Sequence, residues 1–187
     1  MQRRSFFKGV AAAAPAAAVI DLSVGRAFAQ GLASQASKGL QIVGPAQDRF
    51  GHSHSLGFST FYFKVGGSET GGGLFLMEHR NMVQGGPDLH MHLNQEEWFY
   101  VIEGEVLFQV GEQRLHLHAG ESVLGPRRVP HTFSSVGATP GRMLIAFTPA
   151  GKMEDYFLDL EDPKRPKREK GYYEIESLGP SPFWKMQ

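Results

Sequence analysis

The chain has 187 residues, 41% of them hydrophobic and 20% charged, so it can bury a core, and a wholly disordered chain is excluded. Nineteen Lys and Arg balance nineteen Asp and Glu with no dense basic stripe, which argues against nucleic acid as a partner. Cysteine is absent, so disulfides, thiol nucleophiles and thiolate metal sites are excluded, and any metal is directed to the eight histidines and the carboxylates.

Residues 1–29 begin with a basic stretch, Arg3-Arg4-Ser5-Phe6-Phe7-Lys8. An apolar run, Val10 to Ile20, follows, and Ala27-Phe28-Ala29 ends the segment as a small-residue cleavage site. The run is too short to span a bilayer, so no membrane anchor is expected. The segment resembles a twin-arginine export signal, which implies a periplasmic protein. Its removal takes four basic residues and one acidic one, leaving 15 against 18 and a formal charge of −3, with every histidine retained.

Residues 30–50 read as an N-terminal arm. From 51 to 150 short β-branched and aromatic runs alternate with glycine-rich separators: Phe58 to Val65, Leu74 to His79, Trp98 to Ile102, Val106 to Val110, Arg114 to His118, Ser122 to Leu124, His131 to Ser135 and Arg142 to Phe147. The pattern predicts an all-β sandwich or barrel, with a jelly roll among the leading forms. In the last segment, 151–187, Met153, Tyr156, Phe157 and Leu160 fall at i, i+3, i+4 and i+7. That spacing predicts one short amphipathic helix, expected on the outside of the barrel. Residues 161–170 read as a solvated charged loop. Tyr172 to Met186 is aromatic enough to pack either on the domain or on a second subunit.

Three His-x-His pairs occur: His52/His54, His90/His92 and His116/His118. Residues i and i+2 of a strand share a face about 6.5 to 7 Å apart, so two such imidazoles can converge on a metal. Glu97 opens a run in which Glu97, Phe99 and Val101 share one face and Trp98, Tyr100 and Ile102 the other, placing a carboxylate above an apolar floor. Glu96 then points outward as a solvated charge. His131 follows a Pro-bracketed turn and can supply a third imidazole. Leu115 and Leu117 are expected inside, leaving His116 and His118 outside. His52 and His54 read as a surface turn or dimer contact, and His79 as an edge histidine.

His90, His92, Glu97 and Gly104, followed by Gly120, Pro126 and His131, resemble the two motifs of the cupin superfamily, with residues 105–119 between them. Arg128 and Ser135 stand where glycine and asparagine are usual in the second motif, and Gly85 lies one residue closer to His90 than usual. Arg127 and Arg128 thus alter the turn beside the site. The resemblance implies a cupin double-stranded β-helix, a jelly-roll barrel, and one divalent transition metal ion per chain (Fe, Mn, Ni, Co, Cu or Zn) held by His90, His92, Glu97 and His131. It also implies pairing as a homodimer.

Thr70 to Phe75, Glu97 to Glu105 and Leu178-Gly179-Pro180 look like single-domain cupins similar to quercetin dioxygenases. By that resemblance the expectation is a metal-dependent oxidoreductase, a dioxygenase of a small aromatic or enol-bearing molecule. Glu97 doubles as proton acceptor, and Phe99, Val101, Phe133 and Leu144 line the pocket. A non-catalytic periplasmic binder of a small ligand or metal, and a metal-assisted decarboxylase or isomerase, are the alternatives.

Overall fold

A computed structural model describes residues 41–162 and 164–183. The export segment expected at 1–29 lies outside them. Alternation of large apolar and smaller or polar residues builds the strands: in β2 (Thr60–Val65) Phe61 and Phe63 are buried, while Thr60 and Tyr62 are half-exposed. The same period runs through β5 (Glu96–Glu103), where Glu97, Phe99 and Val101 point inward as expected.

Two antiparallel sheets face each other. One has the order β1-β2-β3-β10-β5-β8, with β1 His54–Ser55, β3 Phe75–Met82, β8 Ser122–Gly125 and β10 Gly141–Thr148. The other has the order β11-β4-β9-β6-β7, with β4 Leu89–His92, β6 Glu105–Val110, β7 Gln113–His118, β9 His131–Val136 and β11 Ile175–Gly179. Sequence neighbours repeatedly lie in opposite sheets, which gives the jelly roll its double-wound form. Phenylalanines dominate the interior: Phe61, Phe63, Phe75, Phe99, Phe108 and Phe147 are all buried. Two of their contacts are edge-on or tilted, with ring centroids 4.9 Å apart for Phe63 and Phe75 and 5.0 Å for Phe99 and Phe108.

The tail packs back on the domain. Strand β11 pairs with β4, setting Ile175 opposite His92 and Ser177 opposite His90. Glu174 secures the junction: its carboxylate accepts from Asn94 (2.8 Å) and Gln95 (3.1 Å), and its carbonyl accepts from the Leu93 amide.

The helix α1 (Met153–Glu161) departs from its expected place outside the barrel. Its Phe157 ring lies 5.5 Å from Phe61 and 6.0 Å from Phe147, two inward-facing residues, so the apolar stripe closes one end of the interior. The charged loop that follows is not purely solvated. Arg165 and Arg168 turn back onto Asp159, each at 2.8 Å, and the Tyr173 hydroxyl donates to the same carboxylate.

On the outer face of the first sheet Glu78 is buried among Lys64 (2.8 Å), Arg80 (2.9 Å) and Arg142. Burial alone would raise its pKa, but these three cations outweigh it and hold the carboxyl below the ordinary range.

Candidate metal centre

Strand β4 carries His90 and His92, β5 carries Glu97 near its start, and β9 begins at His131. Register joins them, because His90 and His131 are direct cross-strand partners. The result is a tight group. Glu97 Oε2 lies 2.8 Å from His131 Nε2, 3.0 Å from His92 Nε2 and 3.7 Å from His90 Nε2, and the four ligand-type atoms all fall within 4.8 Å of one another. His92, Glu97 and His131 are buried and His90 nearly so. At position 125 a Cβ would stand 3.1 Å from the His131 ring, so glycine there leaves the imidazole its room.

Backbone carbonyls orient two of the rings. His90 Nδ1 donates to Asp88 O at 2.8 Å and His131 Nδ1 donates to Val129 O at 2.9 Å. In the neutral tautomer each ring then presents an Nε2 lone pair toward Glu97, itself an acceptor. Acceptors facing acceptors in a buried site repel unless a cation sits among them, as either protons or a metal ion. Three imidazole nitrogens and one carboxylate oxygen suit a first-row divalent ion, so the residues present fit one.

The same conflict appears in the proton affinities. Burial opposes the charge on Glu97, yet hydrogen bonds from His131, His90 and His92 hold its carboxyl well below the usual range. Burial likewise opposes protonation of His90, but Glu97 and the Asp88 carbonyl raise it. His92 is lowered by burial and by the other two rings, against the pull of Glu97.

The group opens into a cavity of about 300 Å³. Its walls are mainly apolar, with Phe58, Phe133, Ile145 and Phe147 from the barrel and Met153 and Phe157 from α1. Leu144, expected in the lining, sits half-exposed on the outer face of β10, while Ile145 and Phe147 take the inner positions. Phe99 and Val101 are packed in the core and do not line this cavity.

Three expectations for the remaining polar residues are corrected. His79 is not an edge residue: it lies in β3 between β2 and β10, 1% exposed, and lines the cavity. Its Nδ1 is 2.8 Å from Ser59 Oγ, its Nε2 has no partner among the described residues, and burial depresses its pKa to about 4 against the pull of Glu97. His54 is no surface turn, being buried with its ring stacked on Phe61 and Phe63 (5.0 and 4.5 Å) and bonded to Glu161, which ties β1 to the end of α1. Glu96 faces outward as expected, but its two carboxylate oxygens accept from Nε and Nη2 of Arg127, one edge of the guanidinium.

Arg128 occupies a left-handed conformation (φ 62°), which explains why a glycine suits that turn, and its amide donates to His92 O at 2.7 Å. His116 and His118 are exposed on β7, as their alternation with Leu115 and Leu117 requires. Tyr156 from α1 and Ser177 from β11 also reach the cavity, a contribution not anticipated from sequence.

Residues 80–147 match the family model described as Cupin domain, a stretch that contains all four clustered residues. The two-sheet jelly roll around that stretch is a cupin fold. Among solved structures, the polyketide cyclase RemF from Streptomyces resistomycificus is similar at 18% identity and a TM-score of 0.51, covering 59% of this chain and 80% of that one. An RmlC-like cupin from Shewanella frigidimarina is similar at 22% identity and a TM-score of 0.47, covering 56% and 87%. At 18% identity the likeness to RemF is one of fold. The uncharacterized protein MJ1618 of Methanocaldococcus jannaschii is 28% identical over 67 residues, 36% of this chain, and the match spans 54% of that relative's own length.

Proposed function

We propose that this cupin is a metal-dependent oxidoreductase, a dioxygenase of a small aromatic or enol-bearing molecule, using one divalent transition metal ion held by His90, His92, Glu97 and His131. The observation that carries the reading is the convergence of three imidazoles, two of them aimed by backbone carbonyls, and a carboxylate at the wall of an apolar cavity. When bound, the ion supplies Lewis acidity toward a substrate oxygen and a place for O₂.

The chain's own residues do the rest. Phe58, Phe133, Phe147 and Phe157 exclude water and favour a flat apolar body, and at about 300 Å³ the cavity is at the small end of ligand pockets. Glu97, the anionic member, is held deprotonated, and its place in the cavity lining makes it our assigned acceptor for the proton of a substrate hydroxyl. The Asp88 and Val129 carbonyls keep the His90 and His131 rings aimed inward. We also read the chain as exported and homodimeric, readings supported by the pattern of residues 1–29 and by the cupin resemblance respectively. A reporter fusion and light scattering test them.

The central test measures bound metals by mass spectrometry on the purified protein beside His131→Ala, followed by oxygen uptake with flavonols, catechols and β-diketones. One ion per chain, lost in the variant, together with oxygen consumption supports the reading. Turnover under argon replaces it with a decarboxylase or isomerase. Metal uptake with no turnover on the panel replaces it with a binding protein, and no metal in either protein removes the centre.

A further inference from the structure

We infer that Glu105, His116 and His118 form a second divalent-cation site, on the outer surface of the barrel, for ions such as Zn²⁺ that accept mixed imidazole and carboxylate ligation. His116 and His118 alternate with Leu115 and Leu117 on β7, and because the leucines take the inward positions both imidazoles stand on the same outer face. Register supplies the third donor: Glu105 of β6 is the direct cross-strand partner of His118.

The side chains converge. Glu105 Oε2 lies 2.8 Å from His116 Nε2 and 4.0 Å from His118 Nδ1, the two rings are 4.6 Å apart, and all three ligand-type atoms fall within 4.8 Å of one another. Two atoms bound to one zinc ion at about 2.0 to 2.2 Å lie no more than about 4.4 Å apart, so small rotations of exposed side chains complete the geometry.

A hydrogen bond from His116 to Glu105 accounts for one of these contacts but not for the approach of His118 to the same oxygen. Three protein donors leave the remaining coordination positions to water. The site also has a mechanical consequence. Among the described residues strand β7 ends its sheet and pairs only with β6, so an ion held by Glu105 and the two histidines fastens this edge strand to its neighbour.

The test is a zinc titration by calorimetry, with thermal denaturation as a second readout, on the wild type, the His116→Ala/His118→Ala double variant and a His52→Ala control, His52 being an exposed histidine away from the group. The expected result is one fewer zinc ion per chain in the double variant and loss of the part of the zinc-induced rise in Tm due to this site. His52→Ala leaves the stoichiometry unchanged. Both replaced histidines are exposed, so circular dichroism is expected to show the fold intact. A double variant with the wild-type number of zinc ions and the wild-type Tm response overturns the site. His90→Ala/His131→Ala separates the two centres: it keeps the outer ion even if the inner site binds nothing.

Discussion

Buried His79 makes the stability of the barrel depend on pH in a calculable way. In the folded chain burial holds its pKa at about 4, whereas in the unfolded chain it returns to about 6.5. Folding therefore favours the neutral ring. Above pH 6.5 both states are neutral and the residue adds no pH dependence. As pH falls from 6.5 to 4 the unfolded state takes up the proton first, and stability is lost across that window. The loss reaches about 2 kcal/mol at pH 5 and levels off near about 3 kcal/mol below pH 4.

The assay is urea denaturation of the wild type and His79→Gln at pH 7.5 and pH 5.0, since glutamine can keep a bond to Ser59 without titrating. Other titrating groups act in both proteins and cancel in the comparison. The wild type is expected to lose about 2 kcal/mol more than the variant between the two pH values. Equal losses would refute the reasoning, because they mean that His79 titrates in the folded protein as it does in water and that its side of the cavity is hydrated.

Three further outcomes follow from the packing. Glu78→Gln removes the charge that Lys64, Arg80 and Arg142 surround, and a destabilisation of about 3 kcal/mol is expected in the same urea assay, shrinking toward acid pH as the wild-type carboxyl protonates. Phe157→Ala hollows the junction of α1 with Phe61, Phe75 and Phe147 and is expected to cost about 3 to 5 kcal/mol while enlarging the cavity, read as increased binding of an apolar fluorescent dye. Gly86→Ala places a Cβ 1.9 Å from the Phe133 carbonyl oxygen, so little or no soluble folded protein is expected on expression.

Most strands were legible because one face of each is buried and the other is not. The inward set of β5, Glu97, Phe99 and Val101, follows from that contrast alone. Where both faces are apolar the phase is lost: Met143 to Phe147 gives no sign of which set points inward, and Leu144 was placed on the wrong side. His79 continues the inward series Phe75, Met77, but as a polar residue at the end of an apolar run it resembled a strand terminus.

β11 left almost no signal, since Ile-Glu-Ser-Leu-Gly is fixed by backbone pairing with β4 and little of it enters the core. His54 sits among glycines and serines that mimic a loop, and its burial depends on Glu161, 107 residues away. The stripe of α1 was readable from its period, but its destination was not, because an amphipathic pattern specifies a buried face without naming its partner. The four clustered residues were accessible through motif spacing, whereas the carbonyls of Asp88 and Val129 that aim two of their rings are backbone groups with no sequence signature.

The pairing of β11 with β4 gives the centre an order of assembly. Strand β4 meets β9 through a single register pair, His90 with His131, and draws the rest of its ladder from Ile175–Gly179. All four clustered side chains leave the ribosome well before that closing strand does. A nascent or proteolytically shortened chain lacking residues 175–179 would carry every ligand-type side chain but leave the strand bearing His90 and His92 with one edge unclosed.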